Sequence, residues 1–216
     1  MKNIAYPAVF ACLCAWLWAQ EPAKPELKFA WATDDDPMTD TVRSAGDKLI
    51  DRIGGSLLVE VERVLATKGL DEAVELMHLK SLNPPKPVPG KPRVTAIKLT
   101  SLRIRAPKNT PDEADHAVLD LVRIALNSGE APPKIVVQKV EAPDTPTEWR
   151  VYRPIAVSPK CLLCHGNSES LQPQVRYLLE RHYPEDQANG YSAWEWRGLI
   201  RVSYEAPTAV AAVKSN

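Results

Sequence analysis

The sequence of 216 residues contains few cysteines, histidines and methionines, and it carries no excess of charge of either sign. It has four cysteines, four histidines and three methionines. Lysine plus arginine and aspartate plus glutamate both number 27, so the formal net charge is zero. Because nucleic-acid-binding proteins normally carry a basic excess, this composition predicts no nucleic-acid partner.

The longest apolar segment, Ile4–Trp18, has about 15 residues, which is fewer than the roughly 20 that a membrane-spanning helix needs. A basic start precedes it and polar sequence follows Ala19, as in a secretory signal peptide. The sequence therefore predicts an exported protein with a signal peptide at residues 1–19. Two alternatives stay open: a lipoprotein signal that makes Cys12 or Cys14 the first mature residue, and an uncleaved membrane anchor.

Cysteine is scarce after this leader, and both remaining cysteines stand in one motif. They are Cys161 and Cys164, and His165 follows directly. Two thiols three positions apart can add across the two vinyl groups of one haem, and the adjacent imidazole can then ligate the iron. The C-x-x-C-H run predicts one covalently attached haem c with His165 as the proximal axial ligand.

Three other uses of this cysteine pair compete with haem attachment. A closed zinc site needs four ligands, and the chain has no second C-x-x-C run. A thioredoxin-like redox pair normally follows a strand at a helix N-terminus, whereas Val157–Lys160 shows no strand pattern that leads directly into the motif. A simple disulfide is the third. We favour haem attachment because it uses the two thiols and the histidine together.

The apolar spacing along the mature chain predicts helices first and then strands. Residues 20–38 are rich in proline and charge and predict a flexible lead-in. Apolar positions recur at three and four from about Thr39 to Lys68, and again from Glu72 to Leu82. This order of elements is typical of an α+β fold with an antiparallel sheet. The other predicted elements are strands at Val94–Arg105, Ile135–Val140, Glu148–Val157 and Leu199–Tyr204, and helices at Asp112–Ser128 and Pro173–His182.

Three blocks of the sequence resemble a known family. The first comprises Tyr152-Arg153-Pro154-Ile155, Cys161–Gly166, Tyr183-Pro184, Gly190-Tyr191 and Arg197-Gly198. The second runs from Thr100 to Asp112, and the third is the helical segment Ala73–His78. Together they resemble the Tll0287-like (DUF3365) c-type haem domains over about Thr41 to Tyr204.

This resemblance implies a PAS-like antiparallel sheet flanked by long N-terminal helices, with one covalently bound haem c. The domain would occupy residues 39–206, followed by a tail at 207–216. The family is thought to serve in signalling or redox sensing. Two positions depart from its pattern: Met77 stands where members often have a cysteine that is a candidate distal ligand, and Trp194-Glu195 replaces a Gly-Asp pair.

The iron position opposite His165 has two leading candidate ligands, Met77 and His78. Adjacent helical residues point about 100° apart, so only one of them is expected to reach the iron. A His/Met pair raises the reduction potential and suits electron transfer, whereas an open position suits binding of a small gas. The remaining candidates are His116, His182 and Met38.

Cationic and aromatic side chains near the motif are further candidate haem contacts. Arg103, Arg105 and Arg153 are candidate partners of the haem propionates, and Arg153 is preferred because it lies nearest the motif. The candidate aromatic residues of the haem wall are Tyr152, Tyr191, Trp194 and Trp196.

These observations predict a periplasmic or otherwise exported monohaem c-type cytochrome that acts in redox or ligand sensing or in electron transfer. Its partner is then a redox protein or a small ligand, and the N-terminus is a candidate membrane attachment. A peroxidase-like haem enzyme is the first alternative and needs an open distal face with a histidine or arginine nearby. A non-haem structural protein with a C-x-x-C disulfide is the second.

Overall fold

The computed structural model describes residues 27–206. The predicted signal peptide (1–19), the first part of the predicted lead-in and the predicted tail (207–216) lie outside the described residues. The helices are α1 (Pro37–Thr67), α2 (Leu70–Leu79), α3 (Glu113–Asn127), α4 (Leu162–His165) and α5 (Pro173–His182). The strands are β1 (Lys28–Trp31), β2 (Arg93–Thr100), β3 (Val136–Glu141), β4 (Glu148–Ala156) and β5 (Trp196–Glu205).

The five strands form one antiparallel sheet in the order β1-β3-β4-β5-β2. Strand β5 is the last in sequence, yet it lies inside the sheet, where Val202 pairs with Val151 of β4 and with Ile97 of β2. At the C-terminal end of β5, Glu205 forms an ion pair with Arg93 of β2, which lies 112 positions earlier. The predicted α+β fold with an antiparallel sheet is confirmed.

The first half of α1 packs on one face of the sheet. Asp36 caps its first turn by accepting a hydrogen bond from a backbone N–H. Val42 and Ile50 are fully buried in the core between helix and sheet. Gly46 lies between them and permits close contact, because a Cβ at this position would lie only 2.6 Å from Cγ1 of Val151.

The second half of α1 leaves this core and contacts α2. The helix is continuous through Gly54 and Gly55, and nothing lies within 4 Å of where a Cβ would be at either residue. Gly69 ends α1 in a left-handed conformation, φ +95°, as its position after the last helical residues predicts. No helix within residues 27–206 combines the length and the apolar character needed to cross a membrane.

Helix α3 covers the opposite face of the sheet. Asp112 and Asp115 form a capping box at its N-terminus. The carboxylate of Asp115 is completely buried and accepts hydrogen bonds from Arg201 (2.8 Å), Lys98 (2.8 Å) and the hydroxyl of Tyr152 (3.1 Å). An ionic cluster therefore joins α3 to the sheet beside its apolar contacts.

Part of the predicted lead-in forms regular structure. Lys28–Trp31 is an edge strand that pairs with β3, although the sequence predicts an irregular segment up to residue 38. All four side chains of this strand are exposed, so no alternation of buried and exposed positions marks it in the sequence.

Strand β2 ends at Thr100 instead of continuing to Arg105 as predicted. The chain turns at Ser101, whose hydroxyl accepts a hydrogen bond from the backbone N–H of Arg103 (3.1 Å) and donates one to the carbonyl of Arg197 (2.7 Å). This turn carries the side chains of Arg103 and Arg105 out of the sheet.

Candidate functional site

A cavity of about 630 Å³ opens on the face of the sheet that α1 covers. Its walls come from the second half of α1, from α2, from β2, β4 and β5, and from the C-x-x-C-H run. Its volume is within the range of about 300–1,000 Å³ that is typical of cofactor sites. The apolar side chains of its walls include Leu57, Val61, Leu65, Ile97, Leu99 and Ile155.

The C-x-x-C-H run lies at the end of this cavity. Strand β4 leads into a 3₁₀ turn that contains Cys161, and the short helix α4 follows and contains Cys164 and His165. All three side chains line the cavity. The fold therefore brings the two thiols and the imidazole to one apolar surface, as covalent haem attachment requires.

The loop before β5 fixes the position of this run. The backbone N–H of Tyr191 donates to the carbonyl of His165 (2.9 Å), and that of Gly190 donates to the carbonyl of Gly166 (2.7 Å). Gly190 has φ +69°, which favours glycine at this position. The motif is thus held between β4 and the loop that leads into β5.

His165 is oriented by a hydrogen bond from its ring. Its Nδ1 lies 2.7 Å from the carbonyl oxygen of Ala188, and since a carbonyl only accepts, Nδ1 carries the proton. Burial, together with the positive charges of Arg105 and Arg197, lowers the pKa of His165 to about 3. The ring is therefore neutral at pH 7, and its Nε2 has the free lone pair that a metal ligand needs.

The two cysteines are free thiols, so no disulfide joins them. Burial is the main cause that raises the pKa of Cys164, and this keeps the thiol protonated at neutral pH. Sγ of Cys161 lies 3.1 Å from the hydroxyl of Ser158.

Of the two leading distal candidates, only Met77 lines the cavity. Its side chain is 39% exposed, so it is not buried as core packing. His78 instead stacks on the ring of His182, with ring centroids 4.0 Å apart, and His182 in turn bonds Glu75 through Nε2 (2.7 Å). The histidine pair ties α2 to α5 on the other side of the cavity wall.

The weaker distal candidates also lie elsewhere. His116 is exposed on α3, on the opposite face of the sheet. His182 belongs to the stack between α2 and α5, and Met38 packs in the core beneath the first half of α1. Within the described part of the chain, His165 is the only histidine among the cavity-lining residues.

The structure places two of the predicted cofactor contacts, Arg153 and Tyr152, outside the cavity lining. Arg153 does point to the α1 face of the sheet, but its guanidinium pairs with Asp47 (3.0 Å) and Asp51 (2.6 Å) of α1. Tyr152 points to the α3 face, where its hydroxyl bonds Asp115. Neither side chain lines the cavity. Tyr152 faces away from the cavity because consecutive strand residues point to opposite sides of the sheet, whereas Arg153 faces the correct side and is bound there by carboxylates of α1.

The other arginines surround His165 instead. Arg103 lies over the ring of Tyr191, with its guanidinium carbon 3.9 Å from the ring centroid, and pairs with Glu195 (3.3 Å). Arg105 lines the cavity and donates to the carbonyl of Cys164 (2.6 Å). These contacts place positive charge behind the imidazole.

Arg197 is a site residue that the sequence analysis did not single out. It lines the cavity, is half-buried, and donates to the carbonyl of Arg103 (3.0 Å). Among residues 27–206 no carboxylate forms an ion pair with it, and burial lowers its pKa. The Arg197-Gly198 pair is visible in the sequence, but its position at the cavity is not. Gly198 has φ +151° and lies directly against β2, since a Cβ there would be 2.3 Å from the carbonyl oxygen of Thr100.

The aromatic candidates divide between different surroundings. The ring of Tyr191 is edge-on to that of His165, with centroids 6.2 Å apart. Trp194 is 72% exposed, and Trp196 packs with the core on the α3 face. Tyr183, which the sequence analysis used only as a family marker, lines the cavity beside Met77.

Comparisons with known proteins agree with this arrangement. The crystal structure of the cyanobacterial heme-protein Tll0287 is 21% identical to this chain, with a TM-score of 0.37, and the match covers 52% of this chain and 60% of that one. The chain thus spans less than two thirds of that protein. No curated protein matches the chain. The Tll0287-like family model matches residues 74–204, which include the whole C-x-x-C-H run and most of the cavity lining but not α1. The chain therefore belongs to the Tll0287-like family.

Proposed function

We propose that this protein is an exported monohaem c-type cytochrome that transfers electrons or senses redox state. One observation carries the proposal: the thiols of Cys161 and Cys164 and the neutral imidazole of His165 line a single apolar cavity of about 630 Å³. Membership of the Tll0287-like family supports haem as the occupant. The arrangement of the long helices over an antiparallel sheet supports the PAS-like description.

The residues present fit a haem at both its apolar and its charged parts. The apolar walls formed by α1, α2 and the sheet exclude water from a porphyrin ring, and the two cysteine thiols bond to its vinyl groups. Its propionates need cationic partners. Arg197 is suited to this because it lines the cavity and has no carboxylate partner among the described residues, and exposed Lys108 lines the cavity as well.

Met77 is the proposed sixth ligand. It is the methionine of the cavity, and no histidine other than His165 lines the cavity within residues 27–206. A bound haem supplies an iron that changes between two oxidation states, and a His/Met pair favours the reduced one. Met77 and His165 would then hold both axial positions and leave none for an exogenous ligand, which favours electron transfer or redox sensing over gas binding.

The peroxidase-like alternative has no specific support. It needs an acid–base side chain on the side of the iron opposite His165. Arg105 bonds Cys164 and shares a backbone acceptor with His165, and therefore belongs to the proximal side. Export and periplasmic location remain proposals that depend on residues 1–19, and the redox partner is proposed only as a class.

The experiment is expression of the full chain with and without cytochrome c maturation functions. Wild-type protein should be coloured, keep its haem after denaturation, and give a sharp low-spin spectrum in the reduced state. The C161A/C164A double variant should carry no covalent haem, and an H116A variant should match the wild type because His116 is exposed on the far face. A colourless wild-type protein would reject the proposal, and rapid binding of carbon monoxide would replace redox sensing with ligand sensing.

A further inference from the structure

One backbone oxygen near the proximal histidine accepts two hydrogen bonds. The carbonyl of Ala188 receives Nδ1–H of His165 at 2.7 Å and Nη2 of Arg105 at 3.1 Å. The same Nη2 donates to the carbonyl of Cys164 at 2.6 Å. One guanidinium therefore contacts the motif itself and the acceptor that orients the motif's histidine.

A carboxylate completes this arrangement. Asp186 accepts from Nε of Arg105 (3.0 Å) through Oδ2 and from the backbone N–H of Ala188 (2.8 Å) through Oδ1. The side chains of Arg105 and Asp186 are only 13% and 12% exposed. Solvent screens charges of such low exposure far less than it screens surface charges, so they act on a neighbouring site at full strength.

The shared acceptor has a predictable effect on the imidazole. A metal-bound histidine becomes a stronger donor when its other ring N–H bonds a good acceptor. A guanidinium on the same carbonyl draws electron density from that oxygen and makes it a poorer acceptor for Nδ1–H. His165 is then a weaker donor to a metal at Nε2, and weaker donation favours the reduced state of the metal. The positive charge acts in the same direction.

We propose that Arg105 is a positioning residue that holds the proximal histidine through Ala188 and Cys164 and raises the reduction potential of the bound haem. This rests on the proposed function, since it requires that His165 ligate the iron. It also assigns Arg105 a different role from that of a propionate partner, because two of its three guanidinium nitrogens, Nε and Nη2, are already engaged by Asp186, Cys164 and Ala188.

The test compares midpoint potentials of haem-loaded full-length variants. R105Q should lower the potential, because it removes the positive charge and replaces the charged donor by a shorter, neutral and weaker one. R105K keeps the positive charge but lacks the planar guanidinium with its several donors, so its potential should lie between those of R105Q and wild type. R153Q is the matched control, since Arg153 is likewise paired with carboxylates, those of Asp47 and Asp51, but lies outside the cavity lining.

A second variant keeps the test decisive if R105Q does not mature. D186N preserves the oxygen that accepts from Ala188 and removes the negative charge beside Arg105, so it should raise the potential. Opposite shifts in R105Q and D186N, both larger than the shift in R153Q, support the proposal. A shift of D186N that is no larger than that of R153Q, or one towards lower potential, overturns it. Wild-type protein without haem would instead reject the proposed function.

Discussion

Met77 is a single side chain whose identity decides what the cavity can bind. It lines the same cavity as His165 and is 39% exposed, whereas the neighbouring His78 is engaged by His182. The difference follows from helical geometry, because successive residues point about 100° apart. The sequence could limit the choice to these two residues, but only the packing of α2 on α5 shows which one faces the cavity.

Replacing Met77 with leucine should open the sixth position. Leucine keeps the apolar volume and removes the sulfur, so the reduced haem-loaded variant should become high-spin. Its apparent affinity for carbon monoxide should rise about tenfold or more, because a ligand no longer competes for the iron. The measurement is a carbon monoxide titration followed by absorbance. The control, H78F, keeps a ring against His182 and should behave as wild type, and an opened site in H78F alone would assign the ligand role to His78.

Asp115 shows what a buried charge requires at the scale of one residue. Burial alone would raise the pKa of its carboxyl, but Arg201 and Lys98 outweigh this and hold the pKa below its usual range. A carboxyl whose pKa is lower in the folded state stabilises the fold above its unfolded pKa of about 3.9. That stabilisation is lost as the pH falls through the lower, folded-state pKa.

Substitution of Asp115 by asparagine should therefore destabilise the protein by about 3–5 kcal/mol at pH 7, because it leaves Arg201 and Lys98 without their buried partner. The loss should shrink below about pH 4, and urea unfolding at several pH values measures both effects. D120N is the control: Asp120 pairs with Arg123 on the exposed side of α3, and the expected change is about 0.5 kcal/mol or less. Equal losses in both variants would contradict the role of the cluster.

At the scale of elements, α1 has two halves with different neighbours. Its first half packs on the sheet through Val42 and Ile50, and its second half contacts α2 and lines the cavity. The apolar spacing predicted one long amphipathic helix, and this is confirmed over Pro37–Thr67. The spacing could not reveal the division, because residues that face a sheet and residues that face a cofactor cavity have the same apolar period.

Two glycines of α1 provide a matched pair of substitutions. In G46A the new methyl group would lie 2.6–2.9 Å from the side chain of Val151, so the helix must move away from β4 at a cost of about 1–3 kcal/mol. In G55A nothing lies within 4 Å of the new methyl group and the position does not line the cavity, so the variant should gain about 0.5–1 kcal/mol from helix propensity. Thermal or urea unfolding of the haem-loaded proteins tests both signs. A stabilising G46A would show that α1 does not approach β4 this closely.

Two elements differ from the sequence prediction, each for its own physical reason. The strand at Lys28–Trp31 has no buried face, so no periodicity marks it. The early end of β2 depends on bonds that Ser101 makes to Arg103 and Arg197, and the second of these partners lies 96 positions away. By contrast, the helix predicted at Pro173–His182 has the predicted limits, since Pro173 starts it and its apolar residues recur at helical spacing.

On the scale of the whole molecule, the cofactor cavity and the protein core share their walls. Residues of β2, β4 and β5 contact α1 on one part of their surface and line the cavity on another. In the haem-free protein, the side chains that line this apolar cavity of about 630 Å³ would lack van der Waals contacts on the side that faces it. Haem attachment should therefore stabilise the entire domain rather than the motif alone.

Haem-loaded wild type should melt roughly 5–10 °C above the C161A/C164A variant made without maturation, which corresponds to about 2–3 kcal/mol for a domain of this size. Limited proteolysis should cut the haem-free protein first in α2 and in the second half of α1, because these elements depend most on the cavity. Equal melting temperatures and equal cleavage would show that the walls are stable on their own. The conservative C161S/C164S variant separates loss of haem from loss of thiol packing.

The sequence could predict those parts of the site whose residues are neighbours in the chain. Cys161, Cys164 and His165 are consecutive parts of one motif, and all three line the cavity as expected. The acceptor that orients His165, the carbonyl of Ala188, lies in the loop before β5, and no sequence pattern predicts that contact. The sequence could not show that Arg153 is bound by Asp47 and Asp51, because these acidic residues lie 106 and 102 positions earlier.

The position of β5 has a consequence for the order in which the chain is completed. A nascent chain that has not yet reached Trp196 lacks the strand that joins β2 to β4, and it also lacks Ile200 and Arg197 of the cavity wall. Both cysteines have by then been synthesised, and the surface that will enclose them does not yet exist. Under the proposed function, an enzyme that attaches haem would therefore reach the thiols most easily before β5 joins the sheet, without having to unfold the protein.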